Sequence, residues 1–265
     1  MSERLDSALV SQGLVPSRER AKELIKSGNV TVNGKTQSKP SINVTAEDKL
    51  EVIGGQLKYV GRAGLKLEKA AKVFDISFKD KVCADIGAST GGFTDFMLQN
   101  GSIKVYAVDV GHDQLAQKLR DDARVVNMEG TNVKELCEGF FDENIDIMTA
   151  DLSFISLKTA LVPMLSSVNA GTMLVLLIKP QFEAGKKNIG KGGIVKDRKV
   201  HINVLRDMVS FFAQLNCTVH GLTCSGIKGG DGNIEYLALI TKDEQATVFT
   251  ADIPQLVDMA FKSLK

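Results

Sequence analysis

The chain has 265 residues, of which 43% are hydrophobic and 25% are charged, and its formal net charge is +1. This length allows one core of about 200 residues plus a small additional unit, and the composition is that of an ordinary soluble globular protein. With so small a net charge, any affinity for a nucleic acid has to come from local clusters of basic side chains.

Cysteine use and hydropathy indicate where the protein works. The four cysteines contain no C-x-x-C pair, so we expect reduced core residues and neither disulfides nor a metal site. The first four residues carry no apolar signal segment. Residues 159–178 are uncharged over a membrane-span length, but Pro163 and Gly171 divide them into a predicted helix, turn and strand. We therefore expect a cytoplasmic protein without a membrane span.

Residues 1–60 differ from the rest of the chain and predict a small α+β domain. Residues 4–11 and 17–26 have the spacing of two short amphipathic helices. The stretch from Val30 alternates like a strand and enters a turn at Asn33-Gly34, and residues 49–53 predict another strand. A glycine-bearing connector at 54–64 is the best boundary, so we divide the chain into domains 1–60 and 61–265.

From residue 65 onward, predicted strands alternate with segments of helical length. The apolar runs lie at residues 82–86, 105–108, 125–128, 145–150 and 173–178. This alternation predicts an α/β fold with a parallel sheet and helices on both faces. Two further predicted strands, at 218–222 and 234–241, flank a glycine-rich loop and form a closing hairpin. The pattern matches the Rossmann-like seven-stranded methyltransferase sheet, because plain nucleotide-binding folds usually end in parallel units.

A glycine-rich turn, from Asp85 to Gly92, follows the first of these strands and opens a helix. Glycines there permit close approach of a ligand to the helix N-terminus. Ser89 stands where the motif G-x-G-x-x-G needs glycine, which disfavours a dinucleotide, and such a turn can also be purely structural. Asp109 ends the next strand, where an acid would accept from ribose hydroxyls, so we predict S-adenosylmethionine as the cofactor. The predicted cofactor-binding residues are Asp85, Gly87, Ala88, Ser89, Gly91, Gly92, Asp109 and Asp151.

Four charged residues accompany the predicted strands where a methyltransferase sheet would hold its reaction centre: Lys66, Asp151, Lys179 and Glu235. In open α/β sheets, ligands bind outside the carboxyl ends of the strands. A neutral amine is a base, and burial together with a second positive charge lowers the pKa of an amine. Single lysine–acid pairs would be interpreted as surface salt bridges, but four such residues in this order predict catalytic residues.

The loop after the fourth of these strands indicates the methyl acceptor. Residues 151–154, Asp-Leu-Ser-Phe, contain neither the Asn-Pro-Pro-Tyr of amino-methylating enzymes nor the Pro-Cys of cytosine-C5 enzymes. An oxygen acceptor is therefore the leading interpretation, and a ribose 2′-hydroxyl must lose its proton as it attacks the methyl group. We predict that Lys179 is the base, that Lys66 lowers the pKa of Lys179 and positions the ribose, and that Asp151 and Glu235 orient the two amines.

Basic side chains cluster in two places. The first cluster lies in the second helix and the following strand, where basic residues outnumber the acids Glu19 and Glu23. The second cluster lies in the loop at residues 186–206, which holds seven basic residues and the single acid Asp197. A charged helix face is usually just solvated, and a glycine-rich loop can simply be disordered. Phosphate binding that orders the loop is the favoured interpretation. The predicted RNA-binding residues are Arg4, Arg18, Arg20, Lys22, Lys26, Lys35, Arg62, Lys186, Lys187, Lys191, Lys196 and Arg198.

The motifs together resemble a known family. Residues 4–6, 17–21, 25–30 and 32–34 resemble an S4-type RNA-binding domain. With residues 61–67, 85–92, 151–154, 178–183 and 232–235, the chain resembles the TlyA family, which joins an S4 domain to an FtsJ-like methyltransferase domain. The resemblance covers nearly the whole chain.

This resemblance implies S-adenosylmethionine-dependent 2′-O-methylation of cytidine in ribosomal RNA, with ribosomal subunits as partners. It also implies the Lys-Asp-Lys-Glu tetrad of that fold at Lys66, Asp151, Lys179 and Glu235. We expect a monomer that needs no metal for its chemistry. Two alternatives stay open: a membrane-active hemolysin or cytolysin, a label that family members often carry, and a ribosome-binding factor that holds the cofactor without turning it over.

Overall fold

The computed structural model describes residues 2–15, 17–26, 28–53, 58–243 and 249–264. The chain forms two compact units, Met1–Leu57 and Lys58–Lys265. Residues 54–57 of the predicted connector lie outside the described residues. The end of that connector is helical, because a helix of the second unit already begins at Ala63.

The first unit packs two short helices against short strands. Its elements are β1 (Ser2–Arg4), α1 (Leu5–Ser11), α2 (Arg18–Lys26), β2 (Val30–Val32), β3 (Lys35–Thr36), β4 (Asn43–Thr45) and β5 (Leu50–Val52). Leu5, Leu9 and Ile25 are fully buried in its core. The Asn33-Gly34 turn between β2 and β3 has positive φ at both residues, as a tight hairpin requires.

The second unit is built on a seven-stranded sheet, as predicted from the sequence. Its strands are β6 (Val82–Ile86), β7 (Lys104–Asp109), β8 (Val125–Glu129), β9 (Ile147–Ala150), β10 (Met173–Ile178), β11 (Cys217–Cys224) and β12 (Tyr236–Lys242). Their spatial order is β11-β12-β10-β9-β6-β7-β8. Strands β6 to β10 run parallel, and β12 runs antiparallel to both of its neighbours. The predicted closing hairpin is therefore confirmed.

Helices cover both faces of this sheet. They are α3 (Ala63–Phe74), α4 (Gly92–Gln99), α5 (Gln117–Arg120), α6 (Leu157–Ser166), α7 (Pro180–Glu183), α8 (Arg198–Gln214) and α9 (Ile253–Ser263). Alternate residues of the strands face opposite ways: Ala84 packs in the cluster with α6, α8 and α9, whereas Cys83 packs in the cluster with α3 and α4. Among the described residues, no helix has the length and hydropathy needed to cross a bilayer.

The antiparallel strand brings two distant parts of the chain together. In the pairing of β10 with β12, Ile178 lies opposite Tyr236. Continuing this register by one residue places Lys179 opposite Glu235. On the other side of β10, Leu176 pairs with Ala150, which directly precedes Asp151. The end of β9, the end of β10 and the beginning of β12 therefore meet at one edge of the sheet.

The basic loop is shorter than the sequence predicted. The predicted loop spans residues 186–206, but α8 begins at Arg198, and the side chain of Asp197 accepts from the amide of Lys199 as the helix N-cap. A short 3₁₀ turn, Lys186–Asn188, also lies within the loop. The prediction of a loop over residues 198–206 is wrong, because Asp197 and the apolar face of α8 together fix a regular helix there.

Candidate active site

Lys66, Asp151, Lys179 and Glu235 meet at this edge of the sheet. Lys179 Nζ lies 2.6 Å from Asp151 Oδ1, and Lys66 Nζ lies 3.6 Å from Asp151 Oδ2. Lys66 Nζ also donates to Glu235 Oε2 over 2.8 Å. The side chains thus form a row of alternating charge, in which each oxygen of Asp151 faces one lysine. Lys66, Lys179 and Glu235 are all buried.

Lys66, on α3, is held in its charged form. Burial lowers the pKa of this amine, but the charges of Asp151 and Glu235, together with hydrogen bonds to both, outweigh burial, so the pKa is raised above its ordinary value. Lys66 therefore stays protonated at neutral pH. It supplies a fixed positive charge to the site.

Lys179, directly after β10, has different partners. Its Nζ donates to Ser153 Oγ over 2.8 Å, in addition to its contact with Asp151. One partner is a carboxylate and the other a neutral hydroxyl, whereas Lys66 faces two carboxylates. The ring centroid of Phe182 lies 5.8 Å from the same Nζ. Lys179 is therefore the lysine with less negative charge in contact with its amine.

Helix α7 follows Lys179 directly and ties the loops of the site together. Glu183 accepts from the hydroxyl of Ser156 over 2.6 Å and from the amide of Leu157 over 2.7 Å, where α6 begins. Gln181 donates from its side-chain amide to Glu235 Oε1 over 3.4 Å. The loop after β9 and the start of β12 are thus both fixed relative to Lys179.

The glycine-rich turn between β6 and α4 lies against Asp151. Gly87 has φ +82°, and a Cβ added there would lie 2.7 Å from the carbonyl oxygen of Asp151. Only glycine permits this approach of the two backbones. Ser89 also has positive φ, and its amide donates to Asp109 Oδ2 over 2.8 Å. The other predicted cofactor residues of the turn are the buried Ala88 and Gly92, together with the N-cap Gly91.

Asp85, a predicted cofactor contact, has partners within the chain. Its Oδ2 accepts from the amide and the hydroxyl of Thr94 over 2.9 and 2.7 Å, and its Oδ1 accepts from the hydroxyl of Thr149 over 3.0 Å. Burial raises the pKa of Asp85 to about 6 in spite of these hydrogen bonds. The carboxylate therefore joins the first turn of α4 to β6 and β9, and its contact with a cofactor stays a prediction.

Asp109, the predicted ribose ligand, ends β7 at the same edge of the sheet and is partly exposed. Its Oδ1 accepts from the amide of Gly111 over 2.7 Å, and its Oδ2 accepts from Ser89. The next side chain, Val110, is 65% exposed and adds an apolar surface beside the carboxylate. The structure thus places an acceptor and an apolar contact together next to the glycine-rich turn.

The basic loop is anchored at its far end to the segment that carries the tetrad glutamate. Buried Asn233 accepts from the amide of Val195 and donates to the carbonyl of Gly193, both over 3.0 Å. The ring nitrogens of His201 lie 2.9 Å from the carbonyl of Val195 and 2.9 Å from the hydroxyl of Tyr236. The exposed basic residues of this loop are Lys186, Lys187, Lys191 and Lys196.

Two further predicted RNA-binding residues have partners in the second unit. Arg198 Nη1 lies 2.6 Å from Asp258 Oδ1, and its guanidinium lies 5.1 Å from the ring centroid of Phe261. Arg62 Nη2 donates to the carbonyl of Lys228 over 3.1 Å. Their contact with RNA stays a prediction.

In the first unit, buried Asp6 holds two of the predicted RNA-binding arginines. Asp6 accepts from Arg4 Nε over 2.9 Å and from Arg18 Nη2 over 3.3 Å. The hydrogen bond from Arg4 lowers the pKa of Asp6 to about 2, against the effect of burial. Both arginine side chains are about half exposed. The remaining predicted residues of this unit, Arg20, Lys22, Lys26 and Lys35, are all at least partly exposed.

Three polar residues that contact the tetrad or its loops had no role predicted from the sequence: Ser153, Gln181 and Asn233. Each lies two positions from a tetrad residue. In extended backbone, residues two positions apart point to the same side, so this spacing was a signal for Ser153 and Asn233, but not for Gln181, which lies in α7. Among the described residues, no group of three or more histidine, cysteine, aspartate or glutamate side chains could hold a metal ion.

Known proteins share both units. Residues 59–242 match the family model described as FtsJ-like methyltransferase, and residues 3–50 match the S4 domain model. The Bacillus subtilis (strain 168) protein named "Putative rRNA methyltransferase YqxC" is 46% identical over 99% of this chain and 95% of its own. The 16S/23S rRNA (cytidine-2′-O)-methyltransferase TlyA of Mycobacterium tuberculosis is 38% identical over 92% of this chain and 91% of its own.

A solved structure, named "Putative hemolysin from Streptococcus thermophilus", is similar over almost the whole length. It superposes with a TM-score of 0.81 at 42% sequence identity, and the match covers 99% of this chain and 96% of that one. The S4 and FtsJ-like matches together span most of this chain, as does the match to the TlyA relative. The chain therefore belongs to the TlyA family, in which an S4 domain precedes an FtsJ-like methyltransferase domain.

Proposed function

We propose that the protein transfers the methyl group of S-adenosylmethionine to the ribose 2′-hydroxyl of a cytidine in ribosomal RNA. The observation that carries this proposal is the cluster in which one carboxylate, Asp151, faces two buried lysines at the carboxyl edge of the sheet. The FtsJ-like family supports methyl transfer. The activity in the name of the Mycobacterium tuberculosis relative supports a ribosomal cytidine as the acceptor.

The residues beside the tetrad fit S-adenosylmethionine. The oxygens of Asp109 each accept one backbone amide and keep a lone pair that can accept from a ribose hydroxyl. Exposed Val110 offers an apolar contact for a purine. The cofactor supplies a methyl group on a positively charged sulfur, which makes the methyl carbon an electrophile. We propose that residues 87–92 and Asp109 hold it.

Lys179 is the proposed general base. It accepts the proton of the 2′-hydroxyl while the bond from the 2′-oxygen to the methyl carbon forms and the bond from that carbon to sulfur breaks. Lys66, which stays protonated, attracts the negative charge that develops on the 2′-oxygen. Asp151 and Glu235 orient the two amines. Because Lys66 and Glu235 are buried, the charges of Lys66, Asp151 and Glu235 act with little screening by water.

The basic side chains are the proposed RNA-binding surfaces. In the first unit, Arg4 and Arg18 leave about half of their side-chain surface exposed. In the second unit, the four loop lysines between α7 and α8 are exposed. Contacts from such side chains to phosphates supply affinity and position the RNA, whereas other contacts, to the bases, recognise the RNA sequence. The S4 match supports RNA as the partner of the first unit.

The test is methyl transfer to unmodified ribosomes. The full chain would be incubated with radiolabelled S-adenosylmethionine and ribosomal subunits from cells that lack the gene. We expect label in the RNA, and mass mapping should find 2′-O-methylcytidine. Lys179→Ala, whose transfer rate should fall about 10²–10⁴-fold to a measurable residual level, is the matched control. Label on a nucleobase, or RNA binding without any transfer, would overturn the proposal and favour base methylation or a non-catalytic binding factor.

A further inference from the structure

We propose that Ser153 is a positioning residue of methyl transfer, whose hydroxyl fixes the rotation of the Lys179 amine and so directs its free bonding position towards the ribose. Its geometric basis is the 2.8 Å hydrogen bond from Lys179 Nζ to Ser153 Oγ. Its catalytic consequence rests on the proposed function, in which Lys179 is the base.

The stereochemistry of an amine explains why two acceptors are needed. An sp³ nitrogen has four tetrahedral directions, and the side-chain carbon occupies one of them. In Lys179, Ser153 Oγ accepts a hydrogen bond along another at 2.8 Å, and Asp151 Oδ1 lies 2.6 Å from the nitrogen as its ion-pair partner. A neutral amine has two protons and one lone pair. When one proton points at Asp151 and the other at Ser153, the lone pair lies in the remaining direction. With Asp151 alone, the amine could rotate about its bond to carbon, and the lone pair would lose that direction.

The neutral charge of Ser153 matters as much as its position. Lys66 is an internal comparison: it faces two carboxylates, and their charges keep its pKa raised although burial lowers it. The Lys179 amine contacts one charged group, Asp151, and one neutral group, Ser153. Lys66 contacts Asp151, and Glu235 contacts Lys66, so both lie farther along the row of charges. A hydroxyl therefore orients the amine without adding a negative charge that would oppose formation of the neutral base.

The backbone around Ser153 is fixed by its neighbours. Asp151 directly follows β9, and Ser156 is bonded to Glu183 over 2.6 Å. Ser153 itself is exposed, so its hydroxymethyl group contributes little to the core. Substitution of this side chain should therefore leave the fold and the melting temperature unchanged.

The first test compares Ser153→Ala with Ser153→Thr on ribosomal RNA. Alanine removes the acceptor, and we expect kcat to fall about 10- to 100-fold, the range for a misplaced catalytic group. The KM for RNA and the affinity for S-adenosylmethionine should stay within about twofold. Threonine keeps the hydroxyl, and its added methyl group lies at an exposed position, so activity should return to within about threefold. Equal kcat for alanine and wild type would overturn the proposal.

The second test uses Ser153→Asp and the pH dependence of the rate. Aspartate keeps an acceptor near the amine but adds a negative charge, which holds the proton on the amine. We expect the acidic limb of the rate–pH profile to move to higher pH by about one unit, with activity recovered in alkaline buffer. In Ser153→Ala the loss should persist at every pH. An aspartate profile that superimposes on the wild type would contradict the charge argument.

A double-mutant cycle with Lys179→Ala tests whether Ser153 acts through that lysine. If it does, Ser153→Ala should cause no further loss in the Lys179→Ala background. An additive loss would overturn the inference and assign Ser153 an independent role.

A spectroscopic readout separates failure of this inference from failure of the proposed function. In a sample labelled with ¹⁵N-lysine, the NMR signal of Lys179 Nζ is the one that disappears in Lys179→Arg. This signal should show restricted rotation of the amine in the wild type and free rotation in Ser153→Ala. Equal mobility in both would reject the positioning role. If wild-type protein failed to methylate ribosomal RNA, the proposed function would fall, while this signal would still decide whether Ser153 holds the amine.

Discussion

Arginine substitution at the two lysines separates a base from a fixed charge. Arginine keeps the positive charge but cannot release a proton at a usable pH. At Lys179, the proposed base, this change should abolish proton transfer. At Lys66, whose raised pKa keeps it charged, the same change keeps the function assigned to the residue. Because Lys66 is 7% exposed and Lys179 is 8% exposed, both sites impose a similar steric cost on arginine, and the pair is matched.

The expected magnitude follows from general-base catalysis. Loss of such a base costs about 10²–10⁴ in rate, or about 2.7–5.4 kcal/mol of transition-state stabilisation. Lys66→Arg should cost about tenfold, the effect of a displaced charge. The assay is single-turnover transfer of a labelled methyl group to ribosomal RNA with saturating cofactor. Calorimetry with S-adenosylmethionine should show unchanged affinity for Lys179→Arg.

Two results would refute this reasoning. Near-normal turnover by Lys179→Arg would reduce Lys179 to a charge, and catalysis would then rest on in-line positioning alone. A Lys66→Arg defect as large as that of Lys179→Arg would show that arginine's bulk, and not its inability to release a proton, caused both losses.

Other expectations address the cofactor, the RNA surface, the carboxylates and stability. Asp109→Ala should cost roughly 1.5–3 kcal/mol of S-adenosylmethionine affinity; unchanged calorimetric affinity would remove Asp109 from the cofactor site. Replacing Lys22, Lys26 and Lys35 by glutamine should weaken ribosomal RNA binding. The slope of the log binding constant against log salt concentration should become less steep by about 0.7–0.9 per lost phosphate contact, and an unchanged slope would contradict this. Asp151→Asn should lower the rate of methyl transfer more than Glu235→Gln, because Asp151 contacts both lysines; the reverse order in kcat would contradict this. The pKa of Asp6 is lowered to about 2, so its ion pair stabilises the folded state above the unfolded pKa near 4 and loses that effect as pH falls towards 2. Asp6→Asn should therefore flatten the acid limb of a plot of unfolding free energy against pH. A curve parallel to that of the wild type would contradict this.

The parallel sheet and its closing hairpin were predictable, because long apolar runs separated by helical lengths admit few topologies. Strands β1 and β4 were not predicted. They are three residues each, and five of their six side chains are exposed, so no apolar alternation marks them. The end of the basic loop was misplaced for a related reason: its glycines suggest flexibility, while the helix N-cap at Asp197 is a local signal that charge counting overlooks.

Strand ends predicted that Asp151, Lys179 and Glu235 would meet, whereas Lys66 lies on helix α3, and the partners of each side chain were not predictable. Asp85 illustrates the difference. Its place two residues before Gly87 suggests a ligand contact, yet Thr94 and Thr149 supply its hydrogen bonds. Thr149 lies on a strand 64 residues away, and such long-range contacts leave no trace in a local motif. The contrast between Lys66, with two carboxylates, and Lys179, with one, is equally a property of the folded arrangement.

The antiparallel strand β12 also determines when the site can exist. Lys66 and Glu235 are 169 positions apart, and Glu235 reaches the tetrad only after β12 has paired with β10. During synthesis at about 5–20 residues per second, the glycine-rich turn, Asp109, Asp151 and Lys179 all emerge seconds before Glu235. A nascent chain can thus complete its proposed cofactor-binding edge while Lys66 still lacks its second carboxylate, and the full tetrad forms only with the last hairpin of the sheet.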